Sequence, residues 1–344
     1  MQTALRAAKH AVMGKHIRFA GLQGKTLRAY RLSVDRFLTF IKVHRLPLRS
    51  QKQLDFAVGE YINALFQEGD SLAQAGHLLS GLKRFCPGLR PSLPTASQYF
   101  RNWQKIHRPE RAIPISWELL QAMGGLCFTL GFPAVSLMLY VGFLCFLRTS
   151  EMLSLQCLHL IPDARTDRLT VIIPFSKTSM GNPQVLVFED KFVHALAVTV
   201  LSARAPRDFL WPSSPGQFRL FWYALLRALG FSATDYSPYG IRRGGATWFF
   251  LRTASMDATL QRGRWTCNRT ARMYVDQGTL AMAEFFWSTQ QHRRVRKWTL
   301  KGVSLLKRLR QENKQWGWEF FFFFPCCLKM DKWEVNRTPC AFAS

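Results

Sequence analysis

DYSPYGIRRGGATWFFLRTASMDATLQRGRWTCNRTARMYVD, residues 235–276, decides how the rest of the chain is read. Ser237 and Pro238 read as the N-cap and first residue of a helix, which puts Tyr239 and Arg242 one turn apart on one face. Gly244 and Gly245 have no side chains, so another backbone can approach that helix closely. Trp265 follows, and Tyr274 comes nine residues later. The stretch therefore offers an arginine for a phosphate, a bulky indole beside it, and a phenol able to attack.

Working outward, Arg148 stands about a hundred residues upstream in Phe146-Leu147-Arg148-Thr149-Ser150-Glu151. It directly follows the most apolar segment of the chain, 132–147. An arginine there must be paired or face a groove; its bland partner is Glu151, one turn on. Residues 168–174 and 184–188 alternate as strands, and the hairpin connection between them carries Lys177 near its base. Alone, Lys177 is a surface lysine.

These positions together resemble the tyrosine recombinase (phage integrase) family. That family carries Leu-Arg-x-x-Glu, a lysine in a β-hairpin, His-x-x-Arg, then His or Trp, and a nucleophilic Tyr about nine residues later. Here the order is Arg148 and Glu151, Lys177, Tyr239-x-x-Arg242, Trp265 and Tyr274. One Arg-x-x-Glu is a weak signal; four family positions in order and at matching spacing are a strong one. The resemblance covers roughly residues 25–300, and its departure is Tyr239 in the place of His.

The resemblance implies an enzyme that breaks and rejoins DNA through a 3′-phosphotyrosine, encoded by a mobile element, with neither metal nor cofactor. Arg148 and Arg242 would hold the scissile phosphate, because guanidinium stays charged and forks onto phosphate oxygens. Trp265 would lend its indole N–H, and Lys177 would protonate the leaving 5′-oxygen. Tyr274 would attack, and Glu151 would hold the local geometry. A phenol is a poor base unless its pKa shifts. No histidine lies between 195 and 291 to replace it, so slowed chemistry with a pH optimum above neutral is expected. The family also implies a homotetramer on two DNA duplexes. Two other readings remain open: a DNA-binding protein that kept the fold and lost turnover, and a monomeric relaxing topoisomerase.

The whole chain of 344 residues carries a formal charge of +26, which favours polyanions, nucleic acid before an anionic membrane surface. A hydrophobic fraction of 48% is that of a globular protein. No apolar run approaches the ~20 residues of a membrane span. With no apolar leader either, an intracellular protein is expected, nuclear if eukaryotic. The eight cysteines show no metal-ligand spacing and read as reduced, mostly buried thiols. Gly24-Lys25-Thr26 fails as a phosphate loop, since the first glycine of that motif would fall on Phe19.

The expected class is mainly α with a small β-hairpin: a helical core-binding bundle followed by an α+β catalytic domain. Residues 1–25 read as a mobile basic arm. Residues 26–108 read as four helices (26–44, 52–67, 71–85 and one after Pro94) forming a DNA clamp. Segment 1–112 holds 19 Lys and Arg against 6 Asp and Glu. Arg28, Arg31, Lys83, Arg84, Arg101 and Lys105 are its candidate DNA contacts, joined by Arg243 and Arg264 near the active stretch. Residues 109–115 read as a linker and 116–279 as the catalytic domain, with helices near 190–203 and 215–229. Residues 280–310 read as a basic C-terminal helix, suited to docking on a neighbour at its apolar start and to DNA at its basic end. Residues 311–344, with Phe320–Phe324 as a run of five, read as a disordered or poorly packed tail.

Overall fold

The structure, a computed structural model, describes residues 24–86, 88, 93–107, 111–174 and 182–315, with the side chains of 310 and 312–315 excepted. Most of the basic arm, Lys177 and most of the tail lie outside the described residues. The chain divides into two compact units, Met1–Arg111 and Ala112–Ser344.

Among the described residues the first unit holds four helices: α1 (Gly24–Val43), α2 (Gln51–Gln67), α3 (Leu72–Phe85) and α4 (Pro94–Ile106). Their apolar stripes close on one core around Phe37, Val58, Ile62, Leu78 and Trp103. The buried stripe of α1 runs through Phe37 and Ile41, and Leu38 is exposed. Asp55 of α2 is buried, and its carboxylate accepts the backbone N–H groups of Thr95 and Ala96 at 3.0 and 2.9 Å. It thereby caps α4, whose own N-cap residue, Leu93, has no side-chain acceptor.

The second unit begins with α5 (Trp117–Thr129), α6 (Pro133–Leu144) and the short α7 (Thr149–Leu153). Helix α6 is apolar all round because other elements cover it on every side; each residue from Ala134 to Leu144 is buried. Then come β1 (Leu160–Pro162), β2 (Arg168–Ile173) and β3 (Gln184–Glu189), an antiparallel sheet in the order β1-β2-β3. Strand β1 was not legible as a strand: it is three residues long and pairs Ile161 with Thr170. Leu169, Val171 and Ile173 point alternately inward from β2. Helices α8 (Lys191–Ser202) and α9 (Pro215–Leu229) follow, close to the expected bounds. Helices α10 (Gly240–Thr253), α11 (Met256–Gly263), α12 (Asn268–Arg272), α13 (Gln277–Phe285) and α14 (Thr289–Gln315) come next among the described residues.

Two expectations are corrected here. Helix α10 starts at Gly240, not at Pro238: Gly240 and Ile241 donate to the carbonyls of Ser237 and Pro238, a tight entry turn before regular helix. The single C-terminal helix is two, because Ser288 and Gln291 exchange hydrogen bonds and cap α14 afresh. Helix α14 packs into its own unit. Val295 and Leu306 join the core, and Gly302 lies so close to Gly125 of α5 that a Cβ on either glycine would strike the other helix's backbone. Among the described residues no helix is long and apolar enough to cross a membrane. Cys127, Cys145 and Cys157 are buried free thiols, and Cys86 and Cys267 exposed ones.

Candidate active site

Glycine sets the site's frame. A Cβ on Gly240 or Gly244 would strike the backbone of Ile113 or Ile115, and one on Gly245 would strike the carbonyl of Phe143. Helix α10 therefore lies directly against the segment before α5 and against the end of α6, as the double glycine predicts. That contact brings the α10 N-terminus to the turn after α6, where Arg148 sits.

Glu151 is the hub. It is 2% exposed. It accepts the Arg148 backbone N–H at 3.0 Å, an Arg148 guanidinium N–H at 2.6 Å and an Arg264 guanidinium N–H at 2.8 Å. Arg242 stands 3.9 Å from the same carboxylate. Burial alone would raise the Glu151 pKa, but the hydrogen bonds and charges of Arg264 and Arg148 outweigh it and hold the carboxyl below its ordinary value. One buried carboxylate thus serves three guanidinium groups and leaves net positive charge around it.

Arg242 is 1% exposed. Its Nη1 donates to the carbonyl of Phe146 and its Nη2 to the carbonyl of Gly263 at 3.0 Å, while Nε has no hydrogen-bond partner. Burial, then the charges of Arg148 and Arg264, lower its pKa to about 10. It still carries full charge at neutral pH. Phe146 and Arg264 both adopt left-handed backbone, φ 48° and 58°, which costs on the order of 1 kcal/mol or more for non-glycine residues. The strain at Phe146 turns its carbonyl toward Arg242.

The aromatic side of the site is a stack. Tyr274 lies on Trp265 with ring centroids 4.6 Å apart, and Trp265 lies on Phe146. The Arg242 guanidinium sits 5.0 Å from the Trp265 centroid and 5.2 Å from that of Tyr274, within cation–π range. The hydroxyls of Tyr274 and Tyr239 are 2.5 Å apart. Burial, followed by the Tyr274 hydrogen bond, pushes the Tyr239 phenol up to about 12.

Of the residues singled out in the sequence, the structure brings together Arg148, Glu151, Tyr239, Arg242, Trp265 and Tyr274. Lys177 falls outside the described residues. Arg243 and Arg264, expected as DNA contacts, are instead turned into the unit and held by its own groups. The Arg243 side chain is 2% exposed and donates to the carbonyl of Ala112 and to Asp276, both inside its own unit. Arg264, 7% exposed, is held by Glu151 and Gln184. Of the contacts expected in the first unit, Arg28, Arg31, Arg101 and Lys105 are exposed, and Lys83 and Arg84 are half-buried.

The sequence reading missed Thr247 and Asp276. The Thr247 hydroxyl lies 3.2 Å from the carbonyl of Tyr274 and accepts the Asp276 N–H at 3.0 Å. Asp276 could have been found: it is the one acidic residue between 258 and 283. The carbonyls of Phe146 and Gly263 leave no signal in sequence at all. Among the described residues no cluster of His, Cys, Asp or Glu is placed to hold a metal ion.

Compared with models of known protein families and with curated proteins, the sequence matches none. Compared with solved structures, it is similar to XerH site-specific recombinase bound to difH substrate, with a TM-score of 0.53 and 12% identity over 76% of this chain and 79% of that one. It is also similar to the Tn1549 transposon integrase in complex with circular intermediate DNA, with a TM-score of 0.52 and 12% identity over 81% and 97% of the two chains. The same integrase with transposon right end DNA gives 0.51 and 13%. At such identities the likeness is one of fold: this mostly helical chain, with its small antiparallel sheet, has the fold of the tyrosine recombinases.

Proposed function

We propose that this chain is a tyrosine recombinase, a DNA strand transferase that breaks and rejoins duplexes at specific sites. The observation that carries the reading is the meeting of Tyr274 with Arg242, Arg148 and Trp265 in one place, from positions up to 126 residues apart in sequence. The solved recombinases of this fold with DNA in place support a duplex as the partner.

The chemistry follows from the residues. The Tyr274 oxygen forms a bond to phosphorus and the bond from phosphorus to the 5′-oxygen breaks, leaving a 3′-phosphotyrosine. Arg148 and Arg242 neutralise the charge that builds on the phosphoryl oxygens. The departing alkoxide takes a proton from Lys177, the acid that the family resemblance assigns. The new ester conserves the energy of the old one, so a 5′-hydroxyl of another strand reverses the step without ATP. A homotetramer on two duplexes suits this exchange. Helix α13, just after Tyr274, supports it: Met282, Phe285 and Phe286 are 54%, 79% and 72% exposed and await a partner surface.

Origin in a mobile element and a nuclear site of action, if the source is eukaryotic, are parts of the same reading. A second reading, a DNA-binding protein with impaired turnover, is favoured by Tyr239 and by the burial of Arg242 beneath the aromatic stack. One experiment separates the two. The protein is mixed with nicked duplexes from a random library in chelator, then denatured. A covalent adduct that is lost in Tyr274→Phe supports the recombinase and reports its site. Salt-sensitive DNA binding with no adduct at any pH selects the second reading.

A further inference from the structure

The Tyr239–Tyr274 contact gives Tyr239 a role different from that of the histidine it replaces. We infer that Tyr239 is a catalytic hydrogen-bond donor: its O–H stabilises the phenolate of Tyr274 as that oxygen attacks, and it does not take the proton. The inference rests on the recombinase reading above and deepens it.

The argument is geometric first. Among the described residues, the Tyr239 hydroxyl is the one group hydrogen-bonded to the Tyr274 oxygen, at 2.5 Å, and either hydroxyl can be the donor. Two phenols at that distance share one proton between them and keep a second. Arg242 faces the Tyr274 ring, with its Cζ 5.2 Å from the ring centroid, and makes its own hydrogen bonds to the carbonyls of Phe146 and Gly263. The cation therefore favours negative charge on the ring system, while the oxygen itself leans on Tyr239. A neutral phenol is an apt donor to an anion, because it gives a hydrogen bond without a competing full charge. Its hold weakens again once the anion has become an ester.

The other charged groups around the pair point the same way. Arg242 faces both phenols from α10, Arg148 faces Tyr239 from the turn after α6, and Arg264 lies near Arg242. Among the described residues, the one acid within this shell, Glu151, is committed to Arg148 and Arg264. At the backbone of the nucleophile, Arg243 and Asp276 neutralise one another. Arg242 and Arg148 lie on the side of the pair where negative charge develops during attack. Tyr239, raised to about 12, keeps its own proton through any working pH. The Tyr274 proton goes to solvent hydroxide, giving water. The freed electron pair forms the bond to phosphorus, and the 5′-oxygen leaves with its own pair and is then protonated.

The test uses the full chain as Tyr239→Phe, Tyr239→His and Tyr274→Phe. Tyrosine isotope-labelled at the phenolic carbon allows the Tyr274 resonance to be identified by its loss in Tyr274→Phe, and its ionisation to be followed by NMR without DNA. The midpoint should move up by about one unit or more in Tyr239→Phe, since a donor to the charged form has gone. On a nicked duplex, the parent's adduct rate should climb about tenfold per pH unit through neutrality, as expected of a phenolate formed by hydroxide. Tyr239→Phe should keep that slope with rates lower by on the order of 10²-fold, the loss typical of one oxyanion donor. Tyr239→His should raise the neutral-pH rate and flatten the slope, because imidazole can accept the proton. An unmoved Tyr274 midpoint in Tyr239→Phe overturns the inference, as does a Tyr239→Phe slope that has gone flat, the mark of a lost base. If the parent forms no adduct at any pH, the recombinase reading fails, and the NMR midpoint still judges the phenol–phenol donor.

Discussion

The guanidinium cage and the phenol pair meet at Arg242 and are held in opposite ways. In the cage, Glu151, Arg242 and Arg264 are each less than a tenth exposed, and two of their partners are carbonyls fixed by folded backbone. In the phenol pair, Tyr239 is 41% exposed and Tyr274 half-buried, and one mutual hydrogen bond and one ring stack hold them. The cage is set when the unit folds. The Tyr274 ring rests over the Arg242 guanidinium, so on the proposed reading the ring shifts as a phosphate reaches that arginine. The proposed strand transfer would use this division: electrostatics fixed in advance, and a nucleophile free to travel with the phosphorus it attacks.

The sharpest way to break the comparison is at Glu151. Glu151→Ala leaves the guanidinium groups of Arg148, Arg242 and Arg264 with no shared counter-charge. It should cost about 3–5 kcal/mol, the scale for breaking a buried ion pair, read from the urea midpoint. Tyr274→Phe should cost under about 1 kcal/mol while abolishing the adduct. Similar losses in both would mean that nucleophile and cage are one structural unit. The Glu151 contribution also has a pH signature. Its carboxyl is depressed in the folded state, so its share of stability is full above the unfolded pKa of about 4.3 and is lost as pH falls through the lower folded value. The gap between the parent and Glu151→Gln should therefore shrink on acidification below about pH 4.

Next in size is the glycine contact that carries the cage. Gly244→Ala drives a methyl group into the Ile115 backbone and should destabilise by about 1–3 kcal/mol. Gly278→Ala, in α13 with nothing within 4 Å, should instead stabilise by about 0.5–1 kcal/mol. Thermal unfolding of the two variants side by side checks both signs. An equal response would remove close approach as the reason for the double glycine.

Which parts were legible follows the same line. The phenols, Trp265, Arg242 and Arg148 carry their chemistry in their side chains, and their order and spacing, matched to the tyrosine recombinase pattern, assembled them. Helices α1–α4 and α8–α9 were legible from apolar periodicity and from Ser and Pro at their starts, as at Ser214 and Pro215. The rest of the cage was not. Arg243 and Arg264 read as surface cations because nothing local says that a chain 131 residues away offers the Ala112 carbonyl, or that Glu151 lies 113 residues from its partner. A carbonyl has no letter in a sequence, and neither does the left-handed turn at Phe146. Strand β1 was too short to show alternation. The break before α14 was legible in principle from Ser288 and Gln291, but the continuous apolar run Phe285-Phe286-Trp287 masked it.

Thr247 gives the finest probe of the boundary between the two regions, because it touches both. It is fully buried on α10, and its hydroxyl accepts the Asp276 N–H while lying within reach of the carbonyls of Arg243 and Tyr274. Thr247→Val keeps the shape and removes the hydroxyl, leaving the Asp276 N–H without its acceptor. The expected cost is about 1–2 kcal/mol, the scale of one buried hydrogen bond with its orphaned partner. If the nucleophile segment is anchored to the scaffold only through this point and the Arg243–Asp276 pair, the loss should be local. Amide exchange at 275–277 should quicken and the adduct rate should fall about tenfold, because the attacking oxygen is less well placed. Exchange in α6 and in the body of α10 should not change. Quickened exchange throughout α10 would instead make Thr247 part of the cage. The freedom assigned to Tyr274 would then end at its ring, and its backbone would be as fixed as the guanidinium groups beneath it.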